Sequence, residues 1–207
     1  MKCPIFKTRS KKTIDDWKEI CPKLCAGATA RIWEQVLEDF YWDRLKTRYL
    51  DPIEAIKTNG SNKGEGFAIV TIQCSLLEFL KSCYTGMNYR HTGPLGQYEY
   101  RKSGPVIVSF LTEREPFKTQ FNEALARDFY EKVRCGLLHE ARTKGAWLIS
   151  SRNSSRIVYP VQPKPTLNRN TFQKAIIQFI GGYRNEVPKK IELQAAFIRK
   201  FNDLCLC

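Results

Sequence analysis

The sequence predicts a mainly α-helical fold: a helical bundle with a small β-hairpin insertion and further helices at the C-terminus. Apolar residues recur at helical spacing within 13–50, residues 65–84 are apolar almost all round, and short strand-like runs appear only after Gly145. The 207 residues, 43% of them hydrophobic, suit one globular domain. We therefore expect a single domain over 1–207, with a helical core of about 13–145 and a C-terminal extension of about 146–207.

The first helix is expected to begin at "TIDDW", where Thr13 is a suitable N-cap and acidic residues follow in the first turn. Pro22 is expected to interrupt it. A second helix then carries apolar residues near helical spacing at Ile32, Val36, Phe40 and Leu45. The segment "DPIEAIKTNGSNKG" is predicted to be a turn and loop, and residues 65–84 the central helix of the bundle.

A long loop is predicted over residues 85–105. Its aromatic and basic residues would suit stacking on bases and contacts to phosphates, whereas a mobile crossing loop explains them equally well. Both interpretations stay open. The residues concerned are Tyr89, Arg90, His91, Tyr98, Tyr100, Arg101 and Lys102.

Pro116 suits the first turn of another helix, predicted to run from Phe117 to about Lys144. Beyond it, "AWLIS" and "RIVYPVQ" are predicted to be strands of a hairpin that turns at "SRNSS", and "PKPTLNRN" to be a loop. The last segments predict two helices, or one helix broken at Gly181–Gly182 and Pro188.

The chain is basic, with 34 Lys and Arg against 21 Asp and Glu and a net charge of +13. Such a surface attracts polyanions, and nucleic acid is favoured over membrane because no long basic amphipathic helix is present. A solvated surface with excess lysine is the other explanation. Neither a signal peptide nor a membrane-spanning run is recognised, so a cytoplasmic location is expected.

Eight cysteines stand at irregular spacings, and the chain has only two histidines, His91 and His139. This pattern favours neither a zinc site nor a disulfide framework, and scattered cysteines are typical of small buried groups. The sequence also lacks the P-loop, the dinucleotide fingerprint and G-x-S-x-G. We expect no metal and no cofactor.

The segment "DFYEKVRCGLLHEARTKGAW" (128–147) continues a row of apolar residues that recur every four positions, from Phe117 to Ala141. Each step drifts about 40° around a straight α-helix, so the helix is expected either to be buried broadly or to break, with Gly136 the natural break point. Arg134 and His139 are five residues apart, about 140° around an unbroken helix. A kink, or a second copy of the helix, would be needed to bring them together.

The stretch "FYEKVRCGLLHEA" resembles the signature segment of the HEPN superfamily, an arginine followed after four to six residues by a histidine in an apolar helix near the end of a helical bundle. Arg134 and His139 fit with four intervening residues. The resemblance covers roughly residues 28–145 as architecture and about a dozen residues as motif. Cys135 departs from the polar residue that commonly follows the arginine. A packing role and a thiolate stabilised by Arg134 are both open for it.

The resemblance implies a metal-independent endoribonuclease, such as a toxin or anti-phage defence effector. The RNA 2′-hydroxyl would attack the phosphate, with His139 as general acid or base and Arg134 stabilising the phosphorane. It also implies a homodimer with a composite cleft, and an antitoxin or other regulatory protein is a further candidate partner.

RNA contacts are expected from Tyr130 by stacking and from Arg142 and Lys144 as a phosphate track. A core-edge tyrosine and a solvated helix end are the alternatives for these three residues. His91 is a weaker catalytic candidate than His139. Two other functions remain open: a non-catalytic HEPN-like module that binds RNA or protein, and an unrelated helical nucleic-acid-binding protein.

Overall fold

The computed structural model describes residues 12–25, 27–61, 63–161 and 163–206, and its fold is mainly helical with a few short strands. Contacts divide the chain into two compact units. The first contains the described residues of 1–52, 82–101 and 182–207, and the second contains those of 53–81 and 102–181.

The predicted helix start at Thr13 is confirmed. Helix α1 spans Ile14–Cys25, and the Thr13 hydroxyl accepts the N–H of Asp16 (3.2 Å) while the Asp16 carboxylate accepts the N–H of Thr13 (2.5 Å). The helix continues through Pro22, so the expected interruption at this residue was wrong. It ends before Gly27, whose φ of +91° suits a residue without a side chain.

A long helical stretch follows from Ala30 to Asn59, built of α2 (Ala30–Val36), α3 (Asp43–Leu45) and α4 (Asp51–Asn59). Two π-helical segments, Leu37–Trp42 and Lys46–Leu50, join them. The prediction of a turn and loop from residue 51 onward was wrong for α4. Pro52 cannot donate a backbone hydrogen bond, and it is accommodated immediately after a π-helical turn, where the α-helical bonding is already shifted.

The first unit is centred on aromatic side chains. Trp17 of α1 meets Phe40 with ring centroids 5.3 Å apart, and Phe201 of α10 (Ile191–Leu206) at the same distance. The indole N–H of Trp17 donates to Asn202 (2.9 Å), which satisfies its one polar atom. This core holds the N-terminal and C-terminal helices together.

The predicted loop 85–105 belongs to the first unit up to Arg101, and it contains a short parallel pair of strands, β1 (Asn88–Tyr89) and β2 (Glu99–Tyr100). Arg90 forms an ion pair with Glu99 (2.6 Å). The guanidinium of Arg199 lies 4.0 Å from the ring centre of Tyr98. These contacts engage several of the aromatic and basic residues that were candidates for RNA contacts.

The second unit contains most of the apolar helix α5 (Glu65–Thr85) and helix α6 (Ser103–Glu113). Its core is also aromatic, and Phe110 lies 5.2 Å from Phe117 and 4.7 Å from Phe179. Among the described helices, α5 alone is long and apolar enough to cross a membrane by length and composition. Half of its most apolar window is buried, and core helices of soluble proteins pass the same test.

The strands of the second unit correct the predicted hairpin. They are β3 (Leu148–Ser150), β4 (Val158–Val161) and β5 (Lys164–Asn168), in the order β3-β5-β4. The hairpin is formed by β4 and β5, and β3 pairs with β5 in parallel. The connection between β3 and β4 covers residues 151–157, which is longer than the common hairpin loops, and the segment predicted to be a loop supplies the central strand. Pro160 and Pro165 lie opposite each other in its ladder.

Two helices complete the C-terminal part. Helix α9 spans Arg169–Glu186, and α10 follows a 3₁₀ turn at Val187–Lys189. Of the two predicted break points, the one at Pro188 is confirmed, whereas α9 runs through Gly181 and Gly182 without interruption. A side chain at either glycine would meet open space, so neither residue is required by packing.

Candidate functional site

The segment with Arg134 and His139 forms one continuous helix in the second unit. It consists of α7 (Glu123–Phe129), a π-helical turn (Tyr130–Arg134) and α8 (Cys135–Glu140). It begins later than the predicted Phe117, because residues 115–120 form turns and the Asn122 side chain caps the helix by accepting the N–H of Leu125 (2.8 Å).

Of the two alternatives expected for this helix, broad burial or a break at Gly136, the break does not occur, and a π-helical turn precedes Gly136. The four-residue row stays buried through Phe129, Val133 and Leu137. A π turn closes hydrogen bonds over five residues rather than four, so it takes up part of the drift that a strict four-residue step has on an α-helix. The helix ends at Ala141, whose φ of 54° is left-handed.

Gly136 allows the chain to turn back closely over the helix. The N–H of Lys144 donates to the carbonyl of Lys132 (2.7 Å), and that of Arg142 to the carbonyl of Gly136 (3.4 Å). A Cβ atom at Gly136 would lie 2.5 Å from the Arg142 carbonyl oxygen. Trp147 then anchors the returning segment by donating its indole N–H to Asp128 (2.6 Å). The glycine therefore serves a close backbone approach.

Arg134 points into a largely covered position beside α5 and α6. Its side chain is 18% exposed, and one terminal nitrogen lies 3.6 Å from a carboxylate oxygen of Glu78. Ser103 holds that carboxylate by donating its hydroxyl to the other oxygen (2.8 Å). The Nε of Arg134 is buried and has no hydrogen-bond acceptor among the described residues. Since 3.6 Å exceeds hydrogen-bond distance, the guanidinium keeps several donors available.

Tyr130 lies one turn before Arg134, whose guanidinium carbon is 5.5 Å from the centre of its ring. A Cβ atom on Gly104 would lie 2.9 Å from Cε1 of Tyr130, so this glycine lets the ring sit against α6. Burial raises the pKa of Tyr130, with a further contribution from Cys135. The ring is half-buried and already contacts Arg134, which leaves part of it for the proposed stacking.

His139 is exposed near the end of α8. Within the described part of the chain, neither a hydrogen bond nor an ion pair engages its side chain. Residues 135–140 are α-helical, so Arg134 and His139 are about 140° apart around the axis. The helix therefore places them on different faces within one chain.

Arg142 and Lys144 both pair with Glu140, at 3.3 Å and 2.6 Å. Hydrogen bonding from Lys144, against a smaller effect of burial, lowers the pKa of Glu140, and Arg142 lowers it further. This carboxylate offsets one positive charge of the expected phosphate track. The structure thus groups these two cations just beyond His139, and groups Tyr130 with Arg134.

Glu78 and Ser103 were not among the residues singled out from the sequence. A usable signal was present for Glu78, which is the only acidic residue in the apolar stretch 66–85. A lone carboxylate in such a helix requires a cationic partner. The sequence does not indicate that this partner is Arg134, because the pairing depends on how two distant helices pack.

Two cysteines lie close to Arg134. Burial raises the pKa of the Cys74 thiol to about 12, despite the opposing charge of Arg134, so Cys74 stays protonated at neutral pH. Cys135 is partly buried and has a free thiol. Across the described residues, no group of three or more His, Cys, Asp or Glu is placed to hold a metal ion. The cysteine pair 205–207 falls partly outside the described residues.

Comparison of the chain with models of protein families, with curated proteins and with solved structures finds no match in any of the three.

Proposed function

We propose that the protein is a HEPN-like, metal-independent endoribonuclease that acts as a homodimer. The observation that carries the proposal is Arg134: a largely buried guanidinium with one long ion pair and an unused Nε donor, five residues before an unengaged, exposed histidine. A buried cation with donors to spare favours an anion. The Arg-x4-His motif and the net charge of +13 support RNA as that anion.

In this reaction the RNA 2′-hydroxyl attacks the adjacent phosphorus and the 5′-oxygen leaves. His139 moves a proton to or from the reacting oxygens, and Arg134 donates hydrogen bonds to the phosphorane. The products carry a 2′,3′-cyclic phosphate and a 5′-hydroxyl. Glu78, which accepts a hydrogen bond from Ser103, orients Arg134 through their ion pair.

The helix geometry supports the proposal of a second chain. Since the helix is continuous and turns Arg134 and His139 to different faces, Arg134 of one chain and His139 of another are the pair that a shared cleft would bring together. Phosphate between the two chains would offset the repulsion of the cations gathered there.

The test is cleavage of several fluorescent RNAs in excess chelator. Wild type is expected to cleave, and Arg134→Ala and His139→Ala to lose about 100-fold or more of the rate. Two variants serve as matched controls with near wild-type activity: His91→Ala, which changes the other histidine, and Arg127→Ala, which changes an exposed arginine on the same helix. A 2′,3′-cyclic phosphate at the cut end identifies the reaction. Full activity of the His139→Ala variant would show that His139 has no catalytic role.

The non-catalytic module is the second candidate, and the Glu78 ion pair favours it, because an arginine that is paired with a carboxylate inside the protein can serve packing alone. It predicts RNA or protein binding without cleavage by wild type. Absence of cleavage on every RNA, together with retained binding, would decide for this candidate.

A further inference from the structure

A small cavity of about 240 Å³ opens at the N-terminus of α5, in the second unit. Its lining includes Gly66 of the first helical turn, Ser150 and Ser151 at the end of β3, and Arg169 at the start of α9. Backbone N–H groups at the start of a helix, hydroxyls and a guanidinium are all hydrogen-bond donors. The cavity is therefore rich in donors.

Arg169 is buried, and its side chain has no partner in the part of the chain that the structure describes. It is 8% exposed, its Nε has no hydrogen-bond acceptor, and no ion pair engages it among the described residues. Burying an unpaired charge is costly, and such charges in proteins are normally paired with an opposite charge. An anion in the cavity that Arg169 lines would supply the missing charge.

The position of Arg169 in its own helix makes the need for an anion stronger. It is the first residue of α9, where the helix dipole is positive and cations are disfavoured. Asn168 caps this helix by accepting the N–H groups of Asn170 and Thr171 (3.1 and 3.0 Å). The cavity also lies at the positive end of the 21-residue helix α5.

Gly66 brings the guanidinium close to the first turn of α5. A Cβ atom there would lie 3.1 Å from a methyl carbon of Ile149 and 3.6 Å from Nη1 of Arg169. Ser150 accepts the N–H of Arg152 (3.1 Å), so its own hydroxyl hydrogen remains available to donate. The helix turn, the guanidinium and the serine therefore surround a common space.

Glu65 is the acidic side chain that lines the cavity, and it is turned toward the preceding loop. Its carboxylate accepts the N–H of Gly64 (3.1 Å), and its Oε1 lies 2.6 Å from where a Cβ of Gly60 would be. It forms no ion pair with Arg169. The positive charge of Arg169 is thus left for a ligand.

We propose that this cavity binds a phosphoryl group, either as free inorganic phosphate or as the phosphate of a small phosphomonoester. A tetrahedral oxyanion accepts several hydrogen bonds at once, which matches a guanidinium, a serine hydroxyl and a helix N-terminus. The volume is below that of typical drug-sized pockets, so it fits the phosphoryl group rather than a whole nucleotide. The inference does not rest on the proposed ribonuclease activity.

Calorimetric titration with inorganic phosphate at fixed ionic strength tests the site. Wild type is expected to bind one phosphate, and Arg169→Gln to bind it at least about tenfold more weakly, since a charge-assisted hydrogen bond is lost. Arg127→Gln is the matched control, because it removes an equal charge from an exposed position and should bind as wild type does. Without phosphate, Arg169→Gln should melt at or above the wild-type temperature. A purely structural arginine would instead lower it.

Ser150→Ala keeps the test decisive if Arg169→Gln fails to fold, and should weaken phosphate binding several-fold. Glycerol 3-phosphate, a small phosphomonoester, distinguishes the two sources of the phosphoryl group: tighter binding than phosphate indicates a phosphomonoester, and weaker binding indicates free phosphate. No saturable binding of either compound to wild type, or equal phosphate binding by wild type and both cavity variants, would overturn the proposal.

Discussion

The absence of a side chain at Gly136 determines how the chain leaves the candidate helix. With no side chain in the way, the peptide after Arg142 packs onto the helix and Lys144 reaches the Lys132 carbonyl. A helix-interior glycine costs about 1 kcal/mol relative to alanine, so such a residue needs a compensating reason. At Gly136 that reason is contact with backbone, which cannot move aside as a flexible side chain would.

Gly136→Ala is therefore expected to lower the free energy of unfolding by about 1–3 kcal/mol through overpacking, despite the better helix propensity of alanine. Gly181→Ala is the matched control, because it also lies in a helix but would meet open space. It should raise the free energy of unfolding by about 0.5–1 kcal/mol. Urea denaturation measures both. Stabilisation by Gly136→Ala would show that the backbone at Arg142 does not pack closely against this residue.

At this scale the sequence allowed part of the site to be predicted. Tyr130 and Arg134 lie one turn apart on a helix, so their contact follows from local spacing. The ion pair of Arg134 with Glu78 joins residues 56 positions apart in the chain, and local spacing carries no information about it. The convergence of Arg134 and His139 in one cleft stays a prediction.

At the scale of elements, an ion pair between a buried lysine and a half-exposed glutamate links α5 to α6. Lys81 is 8% exposed and donates to Glu113 (2.7 Å), whose side chain is about half exposed. This hydrogen bond lowers the pKa of Glu113 from its ordinary 4.5. A lowered pKa in the folded state means that the stabilisation is present above pH 4.5 and is lost as the pH falls through the folded-state pKa.

Glu113→Gln should consequently lower the free energy of unfolding by about 1 kcal/mol at pH 7, a modest value because solvent screens the exposed carboxylate. The difference from wild type should shrink as the pH falls below about 4.5, where the wild-type carboxylate also becomes neutral. Urea denaturation across pH 3–7 measures this. Glu115→Gln, which removes an exposed ion pair with Lys118, should have little effect at any pH. A loss of free energy of unfolding in Glu113→Gln that does not vary with pH would show that the charge of Glu113 is not what stabilises the fold.

The helices were easier to predict from the sequence than their boundaries or the strands. Helix α5 follows directly from its apolar length. The π turn at Tyr130–Arg134 had a signal in the strict four-residue step, but a break at Gly136 explained that step equally well. Strand β5 was missed because its pairing with β3 and β4 is tertiary, and its proline weighed against a strand.

For the whole molecule, the net charge of +13 bears on the proposed dimer, in which two chains would share one anionic substrate. A homodimer places the same surface twice around one axis. Positive charge from both chains would then accumulate where they meet. A polyanion bound there would relieve this repulsion, so RNA binding should weaken as salt rises.

Mixing two inactive variants tests the composite cleft. Arg134→Ala and His139→Ala chains, unfolded together and refolded as a mixture, should recover about a quarter of wild-type cleavage, since about half the dimers then pair an intact arginine with an intact histidine at one of two sites. Each variant treated alone should stay inactive. Sedimentation equilibrium provides the control for dimer formation. Dimers without recovered activity would place both residues of a site in the same chain.

The return of the chain along its own helix also sets the boundaries of a module for protein engineering. The hydrogen bonds from Lys144 to Lys132 and from Trp147 to Asp128 tie the exit segment to the helix it leaves. A chimera that exchanges the Arg-x4-His helix between proteins therefore has to carry residues 122–147 as one piece. A graft ending at Glu140 would leave out the backbone of residues 141–147 that packs against Gly136. His139 would then be followed by a turn from the recipient protein.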